Sequence, residues 1–179
     1  MISDDYKRKA GLTPDTISQT MLAFYQRIDN ASDGVLKALA TRGLSLKCAK
    51  GCCSCCLDDL AVTRAEAQVI LEHCQDVLKT HPRKVGACAF LDDEGACRIY
   101  SFRPYICRTH GLPLRWIDED ENGDDIEERD VCELNALDLV ELDPSQCFTL
   151  GVPELQLAKM NELTFGDNER VLLRGLFKG

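Results

Sequence analysis

The sequence predicts a small, mainly α-helical single domain, with helices around an irregular cysteine-rich centre and one short β-hairpin. Apolar residues recur at helical spacing on both sides of the centre, in residues 13–43 and 152–177. Eight of the eleven cysteines fall in two stretches without a periodic apolar pattern, residues 48–56 and 88–110. Asn122-Gly123, the strongest short-range hairpin signal, lies between two short arms. At 179 residues the chain is long enough to bury one core.

An N-terminal helical arm is expected over residues 13–43. Thr13-Pro14-Asp15 is typical of a helix start, since it combines a capping hydroxyl, a proline and an acid in the first turn. Residues 30–34 interrupt the apolar spacing, so the arm is either continuous or broken near residue 32 before it ends at Gly43. The apolar face consists of Ile17, Met21, Phe24, Tyr25 and Ile28.

Three further helices are expected. Thr63 and Glu66 form a capping-box pattern that begins a helix over about residues 64–79. Pro153 lies at the start of another, which continues to about Phe165. Asp167 is interpreted as the cap of a last helix over residues 168–177. The buried face of the first of these helices would hold Ala65, Val69, Ile70, His73, Cys74 and Val77.

The hairpin arms, residues 112–117 and 126–131, flank a strongly acidic tip. Residues 118–130 carry nine acids against Arg129 alone, so the rest of a chain with net charge −9 is almost neutral. We interpret the tip as solvated and not as a cation site, because the spacing of a calcium loop is absent. Residues 118–130 are also a candidate surface for a protein partner. Nucleic acid is not an expected partner, since the phosphate backbone requires a basic surface. The oligomeric state stays open.

The cysteines point to metal binding more than to disulfides. No apolar run approaches the roughly 18 residues that span a bilayer, and the N-terminus has no apolar signal region. We therefore expect no membrane association and a cytoplasmic protein, where thiols stay reduced. Thiolates are the soft ligands selected by zinc and by iron–sulfur clusters.

The spacing of the cysteines suits metal ligands. Cys48, Cys52 and Cys55 are separated by three and two residues, so their sulfurs can reach one ion. Cys56 is adjacent to Cys55, and adjacent side chains diverge, which suits two neighbouring metals, or one metal and a structural thiol. Eight thiolates would fill two four-thiolate sites or two metals that share ligands, whereas four would hold one cluster. The candidate ligands are Cys48, Cys52, Cys55, Cys56, Cys88, Cys97, Cys107 and Cys132.

Nearby cations and the remaining cysteines are interpreted separately from the candidate ligands. A zinc ion with four thiolates has a net charge of about −2, and Arg98, Arg103, Arg108 and Lys50 are placed to compensate it or to make ordinary surface pairs. Cys74 and Cys147 are interpreted as packing residues, because a free cysteine behaves as a small apolar side chain.

The chain resembles the YkgJ-type cysteine-cluster proteins, whose domain is a zinc- or iron-chelating CxxCxxCC domain. The resemblance covers residues 48–135 and rests on the first array, on the pattern C-x-F-L-D-x-x-G-x-C-x-I-Y-x-x-R-P-x-x-C-R from Cys88 to Arg108, and on Cys132-Glu-Leu-Asn135. The first array departs from the usual C-x2-C-x2-CC by one residue and by the additional Cys53. The resemblance implies that Cys48, Cys52, Cys55 and Cys56 take the ligand positions, with Cys132 as their partner from beyond the hairpin.

Three functions are compatible with these patterns. The first is a metal-binding protein, with zinc or an iron–sulfur centre in a structural, storage or delivery role. The second is an iron–sulfur-dependent redox enzyme or accessory factor, which the resemblance implies through the larger flagellin lysine methylases; His110 would be a ligand, a proton shuttle or a loop residue. The third is an adaptor that docks through its acidic hairpin. Phosphate loops, Ser–His–Asp signatures and HExxH motifs are absent from the sequence. An enzymatic role stays open only through the analogy with the larger proteins.

Overall fold

The computed structural model describes residues 12–177. In this range five α-helices and two small sheets are present. Their order is α1 Ile17–Ala40, β1 Ala61–Thr63, α2 Arg64–His73, α3 Gln75–Leu78, α4 Tyr105–Thr109, β2 Leu114–Glu119, β3 Asp125–Asp130, β4 Phe148–Thr149, α5 Val152–Phe165 and β5 Arg170–Leu172. Short 3₁₀ turns occur at Tyr100–Phe102, Glu133–Asn135, Leu139–Glu141, Pro144–Gln146 and Leu173–Leu176.

The mainly α-helical prediction is wrong. The described residues are 44% helical and 13% strand, which makes the protein a small mixed α/β domain. One sheet pairs β1 with β5 antiparallel, and the other has the order β3-β2-β4, with β4 parallel to β2. The β1–β5 and β2–β4 pairings join segments that are distant in the sequence, so no local pattern indicated them.

The predicted helix over residues 168–177 is likewise wrong. Val171 pairs with Val62 across the β1–β5 ladder, and the Leu173 N–H donates to the Leu60 carbonyl oxygen at 2.9 Å. A 3₁₀ turn, Leu173–Leu176, follows the strand. Asp167 caps no helix, because its carboxylate accepts from the Glu169 N–H at 3.0 Å. The preceding helix, α5, matches its predicted range.

The N-terminal arm is one unbroken helix, α1. The buried Ser32 hydroxyl donates to the Ile28 carbonyl oxygen at 2.8 Å, so this polar side chain is satisfied within the helix. The helix begins at Ile17, because Thr13 to Thr16 form a separate turn first. After Ala40 the chain turns away at Gly43, whose φ of +70° is accessible to glycine at little cost.

The capping box of α2 forms as predicted, but the helix is shorter than expected. The Thr63 hydroxyl accepts from the Glu66 N–H, and the Glu66 carboxylate accepts from the Thr63 N–H. The chain kinks at Cys74, so only the four-residue α3 follows. His73 is exposed and not on the buried face; its ring stacks on Phe102 with centroids 4.8 Å apart.

Two apolar clusters support the cysteine-rich segment. One cluster packs α1 against α2, α4, β4 and α5, and it contains the buried Cys147. The other packs β1, α2 and β5 against residues 88–99, and it contains the buried Cys74. Cys74 and Cys147 are 5% and 4% exposed, in agreement with a packing role.

The hairpin is confirmed. Strands β2 and β3 pair antiparallel from Leu114↔Asp130 to Glu119↔Asp125, and Gly123 adopts a φ of +83° at the tip. The acidic residues 121–128 are exposed, and docking of a protein partner there stays a prediction. Among residues 12–177, no helix combines the length and the apolar character needed to cross a bilayer.

Candidate metal centre

The two cysteine stretches close on each other. The first folds as two tight turns, in which the Cys52 N–H donates to the Ala49 oxygen at 3.0 Å and the Cys56 N–H donates to the Cys53 oxygen at 2.9 Å. Gly95 of the second stretch lies against it, since a Cβ there would be 3.3 Å from the Cys53 sulfur. Gly95 has a φ of +79°, so both the conformation and the contact favour glycine.

The second stretch is a small hairpin joined directly to the first. Leu91 bridges to Cys97, and the Arg98 N–H donates to the Phe90 oxygen at 2.9 Å. The Cys88 N–H donates to the Cys56 oxygen at 2.9 Å, which ties the backbones of two candidate ligands together. The hairpin therefore holds Cys88 and Cys97 beside the end of the first array.

Cys107 is positioned by the buried carboxylate of Glu66. One oxygen of Glu66 accepts from the Tyr105 N–H at 2.8 Å and so caps α4, the helix that carries Cys107. The other oxygen accepts from the Thr63 N–H at 3.0 Å and from the Thr63 hydroxyl at 3.0 Å. Burial raises the pKa of Glu66, while these hydrogen bonds lower it. The sequence analysis identified Glu66 only as a local helix cap.

Four thiols form what we call the inner group: Cys56, Cys88, Cys97 and Cys107. The pKa of Cys107 is raised, with burial as the largest cause and the charges of the other three members as further causes. Burial, Cys55, Cys88 and Cys97 raise the pKa of Cys56 to about 12. The pKa of Cys97 rises through burial and then through Cys88, although the Ile99 N–H opposes the shift. Cys56, Cys88 and Cys97 thus act electrostatically on Cys107, and Cys88 and Cys97 act on Cys56, as neighbouring thiols do.

The other four candidates form the outer group: Cys48, Cys52, Cys55 and Cys132. Burial raises the pKa of Cys55, a hydrogen bond with Cys56 lowers it, and the charges of Cys132 and Cys52 raise it again. The charge of Cys132, beyond the hairpin, thus reaches Cys55 of the first array, while a role of Cys132 as a metal ligand stays a prediction. Cys48 is exposed, whereas the other three members are partly buried.

Asn135 connects the two ends of the outer group. Its backbone N–H donates to the Cys132 oxygen at 2.8 Å, and its side-chain oxygen accepts from the Lys47 N–H at 2.8 Å. Its amide nitrogen lies 3.7 Å from the Cys48 sulfur and donates to the Gly111 oxygen at 2.6 Å. Asn135 is 5% exposed, and these contacts explain the asparagine of the Cys-Glu-Leu-Asn element.

The arginines near the inner group act through both charge and hydrogen bonds. Arg98 donates to the Ala89 oxygen at 2.8 Å, and Arg103 donates to the Cys107 oxygen at 3.3 Å. Both positive charges lower the pKa of Cys97, against the larger effect of burial. Arg108 instead pairs with Asp29 at 2.5 Å, and Lys50 is exposed.

Arg174 is a supporting residue that the sequence analysis missed. It donates to the Arg83 oxygen at 2.7 Å and to the Ala87 oxygen at 2.9 Å, just before Cys88. It also pairs with Asp58, which follows the first array and accepts from the Gly86 N–H at 2.9 Å. Asp58 and Arg174 are 116 positions apart, so no local sequence signal could indicate the pair.

Cys53, Cys74 and the candidate ligand His110 lie outside the two groups. Cys53 packs against Gly95, while His110 is exposed directly after α4. The charge of Cys97 contributes, after burial, to raising the pKa of Cys74 to about 11, so Cys74 lies beside the inner group. In the described range all eleven cysteines are free thiols, and no three Cys, His, Asp or Glu side chains converge on one metal position. Each group is therefore a neighbourhood of thiols and not a finished coordination sphere.

Residues 47–133 match the model of the CxxCxxCC family, described as a "Putative zinc- or iron-chelating domain". The chain carries a CxxCxxCC domain. The matched range begins one residue before Cys48 and ends one residue after Cys132, so it contains both groups. No curated protein and no solved structure gives a significant match.

The residues of the CxxCxxCC domain fit its zinc- or iron-chelating character. Every member of both groups is a cysteine, and thiolates suit zinc and iron–sulfur clusters alike. Four sulfurs in each group equal the number that a closed tetrahedral zinc site or a cubic cluster requires.

Proposed function

We propose that the CxxCxxCC domain binds two metal centres, one through the four cysteines of the inner group and one through those of the outer group. The observation that supports this proposal is that Cys55 and Cys56, although their side chains hydrogen-bond with each other, have different further neighbours. The Cys56 carbonyl oxygen accepts a hydrogen bond from the Cys88 N–H at 2.9 Å, within the inner group. Cys55 interacts with Cys132 and Cys52, within the outer group. We therefore assign the two adjacent cysteines to different centres.

Each centre would have a closed thiolate shell. Four thiolates saturate a tetrahedral zinc ion and also hold an iron–sulfur cluster, so no position remains for a hydrolytic water. The inner group is suited to the negative charge of such a shell, because Arg98, Arg103 and Arg174 lie around it. A closed shell favours metal binding over metal-assisted hydrolysis as the function.

The two centres would have different duties. The inner group lies between a buried hairpin, the end of α4 and an apolar cluster, so metal bound there contributes directly to folding. The outer group is built on loops and includes the exposed Cys48. We infer that the inner metal is structural and that the outer metal exchanges with the surroundings, as in metal storage or delivery.

An iron–sulfur redox role is the second candidate. The exposure of Cys48 favours it, because a cluster near the surface can exchange electrons with a partner. In that case the outer centre would be the redox-active one, and the acidic tip of the hairpin would be the surface on which a basic partner docks.

Anaerobic purification of the full chain, followed by metal and sulfide analysis and a visible spectrum, tests the proposal. A colourless protein with two zinc ions, or a coloured one with iron and acid-labile sulfide in two centres, is the expected result. Cys97→Ser and Cys132→Ser should each remove about one centre. Cys53→Ser is the matched control, since Cys53 belongs to the same loops but to neither group. Metal loss in the control, or full metal in either group variant, contradicts the proposal.

A further inference from the structure

The sulfur of Cys48 has a defined position, although Cys48 lies in an exposed loop. Residues 44–49 belong to no helix or strand, so the regular backbone does not fix this side chain. Two groups from elsewhere in the chain contact the sulfur instead. The side-chain nitrogen of Asn135 lies 3.7 Å from it, and a Cβ on Gly111 would lie only 2.5 Å from it. The sulfur is therefore placed by contacts that cross the outer group.

The orientation of the Asn135 side chain follows from its other partners. Its oxygen accepts from the Lys47 N–H at 2.8 Å. Its nitrogen has two N–H groups, of which one donates to the Gly111 oxygen at 2.6 Å and the other is directed at the Cys48 sulfur. The opposite orientation of the amide would place oxygen against oxygen at Gly111 and nitrogen against N–H at Lys47. The group that contacts the sulfur is therefore an N–H donor.

Asn135 also belongs to the turn that follows Cys132. Its backbone N–H donates to the Cys132 oxygen at 2.8 Å, across the 3₁₀ turn Glu133–Asn135. The next residue, Ala136, has a φ of +50°, and among residues 12–177 it is the only non-glycine residue with a positive φ. Such a conformation persists where the surrounding contacts enforce it, and the buried side chain of Asn135 supplies such contacts. One residue thus connects the sulfur of Cys48 with the turn that begins at Cys132.

We propose that Asn135 is a positioning residue for the outer centre, whose side-chain N–H holds the Cys48 sulfur in place and remains bonded to it in the metal-loaded protein. This inference rests on the proposed function, because Cys48 and Cys132 must bind the same metal. The outer group is built on loops, so its sulfurs need such contacts to stay close together before metal arrives. A donor on a ligand atom also draws charge from that atom, as hydrogen bonds around metal sites do.

Cadmium-113 NMR of the unmodified protein tests the hydrogen bond directly. A side-chain N–H proton of Asn135 should show scalar coupling to the cadmium bound by Cys48, because the coupling passes through the N–H···S bond. Asn161 is the internal control, since it is also buried but donates its side-chain N–H to the Asp167 oxygen at 2.8 Å. Cadmium at the outer centre without coupling to Asn135 overturns the inference and leaves the two-centre proposal intact. A parent protein that binds no cadmium contradicts the proposed function itself.

Asn135→Leu measures what the donor contributes, with Asn161→Leu as the matched control. Each variant removes a buried amide that joins distant segments, so both should lower the urea midpoint of the metal-free protein. Only Asn135→Leu should weaken cadmium binding at the outer centre, about tenfold in chelator competition. In the cobalt-loaded protein it should also move the thiolate-to-metal charge-transfer band to lower energy, because the sulfur becomes richer in electrons. An unmoved band, or an equal shift in Asn161→Leu, contradicts the inference.

Discussion

Removal of the Glu66 carboxylate is expected to be one of the most destabilising single changes in this domain. The carboxylate is 2% exposed and accepts three hydrogen bonds, two from Thr63 and one from the Tyr105 N–H. Glu66→Ala would leave both backbone N–H groups buried without an acceptor. Each hydrogen bond to a charged group contributes about 1.5–3 kcal/mol, and burial of the carboxylate offsets part of the sum. We therefore expect a loss of about 3–5 kcal/mol in the free energy of unfolding.

Urea denaturation of the metal-free chain measures this loss. Glu72→Ala is the control, because Glu72 belongs to the same helix but is exposed and accepts only from the Gln68 amide. The control should lose less than about 1 kcal/mol. If Glu66→Ala destabilises no more than Glu72→Ala, the carboxylate does not anchor α4, and our account of how Cys107 is positioned is wrong.

The pH dependence gives a second check on Glu66. Its pKa in the folded protein is raised from the ordinary value of 4.5, mainly by burial. The folded state therefore binds more protons than the unfolded state between these two pKa values, so the contribution of Glu66 to stability falls as the pH rises through this window. Glu66→Gln should lack this fall, and a profile identical to that of the parent contradicts the assignment.

Three further changes test the outer centre, the contacts of Arg174 and the turn of the hairpin. Gly111→Ala should weaken outer-centre binding more than tenfold in chelator competition, since its Cβ would lie 2.5 Å from the Cys48 sulfur; Gly123→Ala, also at positive φ but in open space, should leave binding unchanged. Arg174→Met should cost about 2–3 kcal/mol in urea denaturation, because it removes the donors that hold residues 83–87; an unchanged midpoint contradicts this. The N–H groups of Asp124 and Asn122 depress the pKa of Asp120, so the turn should lose protection from amide exchange as the pH falls through that pKa. Asp120→Asn should lack this pH dependence.

Features encoded by neighbouring residues could be predicted from the sequence. The Thr63–Glu66 capping box, the Asn122-Gly123 hairpin and α5 each depend on residues within a few positions, and all are present. The polar residues 30–34 were ambiguous, because they interrupt the apolar spacing. Val35 and Leu39 beyond them are buried in the same core as the first half of α1, which the local pattern did not indicate.

Features that depend on distant partners could not be predicted. The apolar run around Val171 is compatible with helix or strand, and pairing with Val62 decides the matter. The second role of Glu66, as the acceptor for Tyr105 39 positions away, has no local signature. The same holds for Arg174 and Asp58. For the site, the adjacent Cys55 and Cys56 predicted two neighbouring metals as one alternative, and our proposal of which cysteines accompany each metal depends on neighbours that no local pattern indicates.

X-ray absorption at the metal edge of the loaded, full-length protein tests the central claim most directly. Two closed four-thiolate centres predict an average of four sulfur ligands at about 2.3 Å per metal, without nitrogen or oxygen in the shell. A nitrogen ligand from His110, an oxygen ligand, or fewer than four sulfurs per metal would contradict the assignment of the inner and outer groups.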